Sequence, residues 1–229
     1  MIKAVIFDLD DTLIDESVFA FSAFKEISEY LSIKFNEEPK LIYDLIVKIY
    51  KYNSKKVFNQ LFEIKGYQLQ EKELNRLIHI YRNHIPSDYW LDPYTERKLK
   101  LLQEKGIFLG IITDGFKVSQ NTKIKQAKLP ELFDKIIITD EYGKFYWKPN
   151  ERAYRDMQKH LDVPFSSMIY IGDNLEKDFQ APKKLGMQFI HYNNPNSFVI
   201  RNQTNSEKYD SIITVNSKED LFSKLFKVI

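Results

Sequence analysis

Short apolar runs recur along this chain of 229 residues and predict the buried strands of a sheet. From about residue 93 onward, predicted helices and strands alternate, which is the βαβ pattern of a parallel α/β fold. The predicted strands are 4–7, 108–113, 135–139, 168–171 and 211–215, and a helix opened by Asn216 or Ser217 runs from the last of them to about Phe226.

Residues from about 15 to 88 follow a different pattern, because their apolar positions recur at helical spacing. We therefore expect two parts. Residues 1–14 and 89–229 form an α/β core, and residues 15–88 form a helical block inserted after the first strand. The polar stretch from Asn193 to Ser206 is expected to be a mobile loop.

Carboxylates follow the first predicted strand at once, at Asp8, Asp10 and Asp11. In open α/β sheets, ligands bind at the carboxyl ends of the strands. Carboxylates held this close repel one another unless a cation relieves them, and oxygen ligands suit Mg²⁺. The pair Asp8 and Asp10 alone does not decide between a metal site and an acidic turn that caps a neighbouring element.

Three later segments also place polar side chains where predicted strands end or shortly after them. Thr113, Asp114 and Gly115 end the second strand, and Lys148 lies in a loop after the third. The fourth strand ends in Gly172-Asp173, with Asp178 five residues after Asp173. Taken singly, Thr113 suits a turn and Lys148 a solvated charge, but their order and placement together indicate one catalytic site.

These four segments resemble, in order, the motifs of the haloacid dehalogenase superfamily of hydrolases. Asp8-Leu9-Asp10-Asp11-Thr12 matches the first motif, and Thr113, Lys148 and Gly172-Asp173 with Asp178 match the other three. The resemblance covers residues 1 to about 215. It implies the phosphatase branch, with a three-layer Rossmann-like parallel sheet core and an inserted all-helical cap of the C1 type.

The resemblance also implies roles for these residues. Asp8 is the nucleophile, which forms an aspartyl-phosphate, and Asp10 is the general acid and base. Mg²⁺ is held by Asp8, the backbone carbonyl of Asp10 and the carboxylate of Asp173. Asp178 is expected to orient Lys148 or a metal-bound water.

Phosphate is expected to bind to Thr113, Lys148 and the backbone N–H groups of Asp114 and Gly115. Position 114 departs from the family, since many relatives with this cap type carry Asn there. We expect the Asp114 side chain to point outward and to cap the helix that begins near Phe116.

The acid at position 10 distinguishes the reaction classes of the superfamily. Its dehalogenases lack this acid because halide leaves without a proton, so Asp10 favours a phosphate ester with an oxygen leaving group. A phosphomutase remains an alternative. A 2-haloacid dehalogenase and a non-catalytic interaction protein are less favoured alternatives.

The expected substrate is a small phosphate ester: a sugar phosphate, a sugar-acid phosphate or a nucleoside monophosphate. The segment 113–115 with Gln120 and Lys123, and the segment 172–178, look like those of phosphatases with such substrates. Candidate contacts in the cap are Lys25, Lys55, Lys56, Arg82 and His84, although each alone is better explained as a solvated charge.

Composition adds limits on partners and location. Lys and Arg number 34 against 32 Asp and Glu, and this surplus of +2 does not indicate a nucleic-acid partner. The chain has no cysteine, which is compatible with a reducing cytosol. It has no apolar run near the ~20 residues that span a bilayer and no secretory signal. We expect a cytoplasmic enzyme with no membrane partner, and leave monomer or dimer open.

Overall fold

The computed structural model describes residues 1–198 and 212–229. They divide into an α/β unit and a helical unit. The α/β unit contains β1 (Ala4–Phe7), α5 (Pro93–Glu104), β2 (Phe108–Thr113), α6 (Lys117–Gln126), β3 (Lys135–Ile138), α7 (Arg152–Leu161), β4 (Met168–Gly172), α8 (Leu175–Asp178), α9 (Gln180–Leu185), β5 (Gln188–Tyr192), β6 (Ile213–Val215) and α10 (Lys218–Val228). The helical unit contains α1 (Glu16–Phe35), α2 (Pro39–Tyr52), α3 (Val57–Ile64) and α4 (Glu71–Asn83).

The six strands of the described residues form one parallel sheet in the order β3-β2-β1-β4-β5-β6. Within it, Phe7 lies opposite Ile111 of β2 and Ile171 of β4, so these three strands end at the same edge. Chain order reverses at β1, which lies between β2 and β4, and ligand sites form at such a reversal. Helices cover both faces, and the predicted α/β fold with a parallel sheet is confirmed.

Apolar residues of the strands and helices supply the core of the α/β unit. One buried cluster joins side chains of β1, β2 and β4 with those of α7. The strand β1, Ala-Val-Ile-Phe, is buried along its whole length, as a central parallel strand with both faces covered must be. The site residues that follow it therefore start from a rigid support.

The strand β5 and the ends of β3 and β6 differ from the sequence prediction. The pattern does not predict β5, because Gln188 and His191 interrupt its apolar run. Predicted β3 ran to Thr139, which instead begins a short 3-10 helix. Position 211, the predicted start of the last strand, lies outside the described residues, and α10 begins at Lys218 with Ser217 as its N-cap.

The helical unit comprises residues 16–89 and, among the described residues, Ser197 and Phe198. Its core is built from one apolar face of each helix, with α1 packed on α2 and α4. The Phe198 ring packs edge-on against Phe21 at 4.6 Å, so a residue far away in sequence completes this core. The unit starts and ends one residue later than the predicted range 15–88.

Two further findings concern segments discussed from sequence. Of the predicted loop 193–206, positions 199–206 lie outside the described residues, and Asn194 within it is buried.

In the described part of the chain, no helix has both the length and the apolar character required to cross a membrane.

Candidate active site

The loop after β1 presents two carboxylates at the edge of the sheet. The backbone N–H of Asp8 donates to the carbonyl of Ile171 in β4 at 2.8 Å, which fixes Asp8 between two strands. Asp11 has φ 55°, a left-handed conformation that Asp tolerates better than most residues, and its N–H donates to the Ile14 carbonyl at 2.8 Å. This tight turn directly follows Asp10, so Asp8 and Asp10 lie on one short loop with a fixed backbone conformation.

A buried lysine joins the loop after β3 to both carboxylate motifs. The Nζ of Lys148 lies 2.8 Å from Oδ1 of Asp8 and 2.7 Å from Oδ1 of Asp178. It also donates to the hydroxyl of Tyr170 at 3.1 Å, and this hydroxyl lies 3.2 Å from the carbonyl of Ile112. All three donor positions of the ammonium are therefore directed at oxygen atoms inside the protein.

Burial controls the protonation of this group of charges. Desolvation raises the pKa of Asp8 to about 7, opposed by Lys148 and reinforced by the negative charges of Asp178 and Asp10. Burial opposes the charge of Lys148, but the attraction of Asp178 and Asp8 outweighs it and raises the lysine pKa well above its usual value. The lysine is thus a fixed positive charge beside Asp8.

Gly172 gives Asp178 its place in the site. A Cβ atom at position 172 would lie 2.4 Å from Oδ2 of Asp178, so only glycine leaves room for this carboxylate. The same Oδ2 accepts the backbone N–H of Asn174 at 3.0 Å. The Gly-Asp pair in the sequence therefore reflects a close approach of Asp178 to the backbone of β4.

We expect Gly172→Ala to destabilise the protein by about 3 kcal/mol, because the added methyl group displaces Asp178 from a buried ion pair. Thermal unfolding measures this loss. Gly106→Ala is the matched control: it has open space at Cβ but a positive φ of 76°, and should cost only about 1 kcal/mol. Equal losses for the two variants would contradict the close-approach explanation.

Three carboxylates form a cluster with the chemistry of a hard-cation site. Asp8, Asp173 and Asp178 each offer one oxygen atom, and these atoms lie within 4.8 Å of one another. Oxygen-only donors fit Mg²⁺, and a cation here would offset the burial and the carboxylate repulsion that together raise the pKa of Asp8. The backbone carbonyl of Asp173 lies 3.1 Å from Nε2 of His191, a contact that steadies the loop.

Gln120 of α6 connects the first two motifs. Its Nε2 donates to Oγ1 of Thr113 at 2.7 Å and to the carbonyl of Asp114 at 2.9 Å. It also donates to Oδ2 of Asp10 at 2.9 Å. Gly115 allows this arrangement, since it has φ 125° and a Cβ there would lie 3.1 Å from Cδ of Gln120.

Lys123 of α6 completes the surroundings of Asp10. Its Nζ lies 2.7 Å from Oδ1 of Asp10, and its side chain is 5% exposed. Asp10 therefore has a cationic donor on one oxygen and an amide donor on the other. The structure thus brings Asp8, Asp10 and Lys148 together at the carboxyl edge of the sheet, and all three are sequence-predicted site residues.

The comparison with known proteins decides the family. Residues 5–192 match the haloacid dehalogenase-like hydrolase family. The chain belongs to this family. A glyceraldehyde 3-phosphate phosphatase of Methanocaldococcus jannaschii is 32% identical over 192 residues, which cover 82% of this chain and 83% of that protein. A phosphoglycolate phosphatase of Neisseria meningitidis is 28% identical and covers 81% of this chain and 77% of its own.

A solved structure agrees with this family membership at the level of the fold. A Thermotoga maritima protein with a suggested β-phosphoglucomutase activity superposes with a TM-score of 0.74 and 18% identity, covering 100% of both chains. The predicted superfamily and enzyme class are confirmed: this haloacid dehalogenase-like hydrolase is a phosphatase, a phosphoric monoester hydrolase. The cap type and the roles of individual residues stay predictions.

The prediction for Asp114 in this family member is wrong. Its side chain does not cap α6: Oδ1 accepts the hydroxyl of Thr139 at 2.7 Å and the backbone N–H of Lys148 at 3.0 Å. At the α6 N-terminus it is Oδ2 of Asp140 that accepts an N–H, that of Lys117 at 2.9 Å. Asp114 therefore ties the ends of β2 and β3 to the Lys148 loop.

The hydrolase also holds site residues that the motifs do not indicate. Three residues without any sequence signal of a site each contact a motif loop: Tyr170, His191 and Asn194. Tyr170 contacts Lys148, and His191 contacts the carbonyl of Asp173. The side chain of Asn194 donates to the carbonyl of Asp11 at 3.1 Å. Gln120 and Lys123 do carry a signal, since they follow the segment 113–115 as in the phosphatases that this part of the sequence resembles.

Among the cap candidates in the helical unit, His84 has a structural environment. Its ring is buried, with Nδ1 2.7 Å from Glu26 and Nε2 2.7 Å from Ser22. Both of these contacts are with side chains of α1, so His84 is part of the packing within the helical unit. Lys55 and Lys56 are exposed, in keeping with their interpretation as solvated charges.

Proposed function

We propose that this phosphatase hydrolyses a small phosphate monoester through an aspartyl-phosphate on Asp8, with Asp10 as general acid and base. One observation carries the proposal: Asp8 and Asp10 lie together at the edge of the sheet, with Lys148 at 2.8 Å from the first and Lys123 at 2.7 Å from the second. A nucleophile, an acid and fixed positive charge are the parts that phosphoryl transfer needs.

Asp8 is the nucleophile in this proposal, and Lys148 is its positive partner. An Asp8 carboxylate oxygen attacks phosphorus, and the bond from phosphorus to the ester oxygen breaks. The Lys148 ammonium, fixed by Asp178 at 2.7 Å, faces the charge that builds up on the transferring group. Because its position is set before substrate arrives, no reorganisation is needed during the reaction.

The metal of the proposal is Mg²⁺, held by Asp8, Asp173 and the backbone carbonyl of Asp10. Bound Mg²⁺ supplies a Lewis acid that offsets repulsion between the carboxylates and a phosphate dianion. The fit rests on the all-oxygen donor set of the carboxylate cluster. Asp178, which also lies in this cluster, is assigned to Lys148, because its Oδ1 is 2.7 Å from that ammonium.

Asp10 distinguishes this proposal from dehalogenation. An alkoxide is a poor leaving group and requires a proton as it departs, whereas halide does not. Asp10 donates that proton and then takes one from the water that attacks phosphorus in the aspartyl-phosphate. Thr113 and the N–H groups of Asp114 and Gly115 bind the phosphate oxygens in this proposal.

The proposed substrate is a short-chain phosphate ester, such as a sugar phosphate or a phosphorylated hydroxy acid. Two relatives support this class through their names, a glyceraldehyde 3-phosphate phosphatase and a phosphoglycolate phosphatase. We assign selection of the leaving group to the helical unit, residues 16–89, acting as a C1-type cap. We also propose that the enzyme is cytoplasmic and has no nucleic-acid partner.

Asp10→Asn tests this function through the leaving group. We expect turnover of an alkyl phosphate such as glycerol phosphate to fall about 100-fold or more, the usual contribution of a general acid. An aryl phosphate, whose phenoxide leaves without full protonation, should lose less. Steady-state kcat and kcat/KM on both esters, after a screen of small phosphate esters with Mg²⁺, measure the difference.

Thr113→Val serves as the comparison in that experiment. It removes a phosphate-binding hydroxyl used for every substrate, so kcat/KM should fall by similar factors on both esters. Equal losses on the two esters for Asp10→Asn would mean that Asp10 does not donate the proton, and the acid role would then be withdrawn.

A further inference from the structure

We propose that Lys123 and Gln120 are positioning residues that clamp the Asp10 carboxylate in the orientation required for proton transfer to the leaving group. The inference rests on the proposed function, in which Asp10 is the acid and base. It assigns a role to two residues of α6 that lie outside the four motifs. Neither residue is expected to touch the phosphoryl group itself.

The clamp holds both oxygens of one carboxylate. Lys123 Nζ lies 2.7 Å from Oδ1 of Asp10, and Gln120 Nε2 lies 2.9 Å from Oδ2. Residues three apart on a helix project from the same face, so both donors come from one rigid element. With each oxygen held by a separate donor, rotation of the Asp10 carboxyl group about its last torsion is restricted.

Burial separates Lys123 from the other lysines of its helix. Lys123 is 4% exposed, whereas Lys117 and Lys125 are exposed. Taking an ammonium out of water costs several kcal/mol, and an apolar residue in place of a buried ion pair is often neutral or stabilising. Stability alone therefore does not account for a charged residue here, whereas orientation of Asp10 does.

Gln120 links the clamp to phosphate binding. Its amide group has two N–H bonds but three acceptors within reach: Asp10 Oδ2, Thr113 Oγ1 and the Asp114 carbonyl. When Oδ2 of Asp10 carries the proton, the amide keeps two other acceptors and stays satisfied. Lys123 meanwhile keeps Oδ1, which leaves Oδ2 as the oxygen that gives the proton to the ester oxygen as the bond to phosphorus breaks.

Lys123→Met tests the clamp with the pair of esters described above. We expect kcat on the alkyl phosphate to fall at least about 10-fold, part of the usual general-acid contribution, while KM changes little. Loss on the aryl phosphate should be several times smaller. Lys123→Arg should recover much of the alkyl rate, and Lys125→Met, an exposed lysine two residues on, should match wild type.

A double-mutant cycle with Asp10→Asn separates the possible failures. If the clamp acts through Asp10, Lys123→Met adds little further loss to Asp10→Asn. Equal losses on both esters for Lys123→Met, beside a selective Asp10→Asn, would overturn the clamp alone. A non-selective Asp10→Asn would overturn the acid role and the clamp with it. Lys123→Gln, which is uncharged and too short to keep the full contact with Asp10, should shift the ratio of alkyl to aryl rates in the same direction and replaces the Met variant if that variant does not fold.

Discussion

Asp8→Asn should reduce hydrolysis of every phosphate ester to the background rate. An amide oxygen at this position is too weak a nucleophile to attack phosphorus, so the aspartyl-phosphate does not form. The fold should survive, because burial opposes the charge of Asp8 and Lys148 keeps its contact with Asp178 at 2.7 Å. Steady-state kinetics measure the loss of hydrolysis, and thermal unfolding measures whether the fold survives.

Rapid quench in acid should trap labelled phosphate on the wild-type protein and none on the Asn variant. Asp11→Asn is the matched control, since it removes a neighbouring buried charge and Asn also tolerates φ 55°. It should retain most of the activity. Normal turnover by Asp8→Asn would refute covalent catalysis.

Removal of divalent metal should have an effect of similar size. We expect EDTA to abolish activity and Mg²⁺ to restore it, because Asp8, Asp173 and Asp178 offer oxygens within 4.8 Å of one another. Without substrate, Mg²⁺ should raise the melting temperature of the wild-type protein, as any ligand of the folded state does. High Ca²⁺ should inhibit, since it accepts a looser and larger coordination sphere.

Asp173→Asn should raise the Mg²⁺ concentration required for half-maximal activity and reduce the shift in melting temperature. Asp134→Asn, at an aspartate whose Oδ2 accepts the N–H of Leu109 at 2.8 Å and which lies outside the carboxylate cluster, should leave both measurements in Mg²⁺ close to wild type. Undiminished hydrolysis in excess chelator would remove the metal from the reaction.

The sequence predicted the sheet and the superfamily because both depend on local patterns. Buried apolar runs such as Ala4–Phe7 and Met168–Gly172 carry the strand signal within a few residues. Parallel strands then place Asp8 and Asp173 at one edge by topology alone. No long-range contact has to be known for this part of the prediction.

Position 114 shows where such local reasoning fails. Three residues before a helix, an Asp is a reasonable cap by local rules, but Thr139 and the Lys148 backbone compete for its carboxylate. Asp140, which caps α6 instead, is 23 residues away from Lys117 in sequence. Only the tertiary fold determines which of two acidic residues meets the helix end.

The strand β5 and the contact of Phe198 were missed for a related reason. Gln188 and His191 make β5 resemble a loop by composition, although its pairing with β4 and β6 supplies the missing stabilisation. Phe198 lies in a polar stretch, and a lone aromatic residue there gives no periodic signal. Its packing against Phe21 depends on a partner more than a hundred positions away in sequence.

The packing of Phe198 has a consequence for protein engineering. The helical unit is joined to the rest of the chain not only at its two ends but also through the segment that carries Phe198. Residues 16–89 therefore cannot be exchanged alone. Their excision leaves behind a phenylalanine whose ring normally packs against Phe21 and Tyr50. A chimera that exchanges the helical unit should either exchange this segment as well or carry Phe198→Ser, so that no aromatic side chain without its packing partners promotes aggregation.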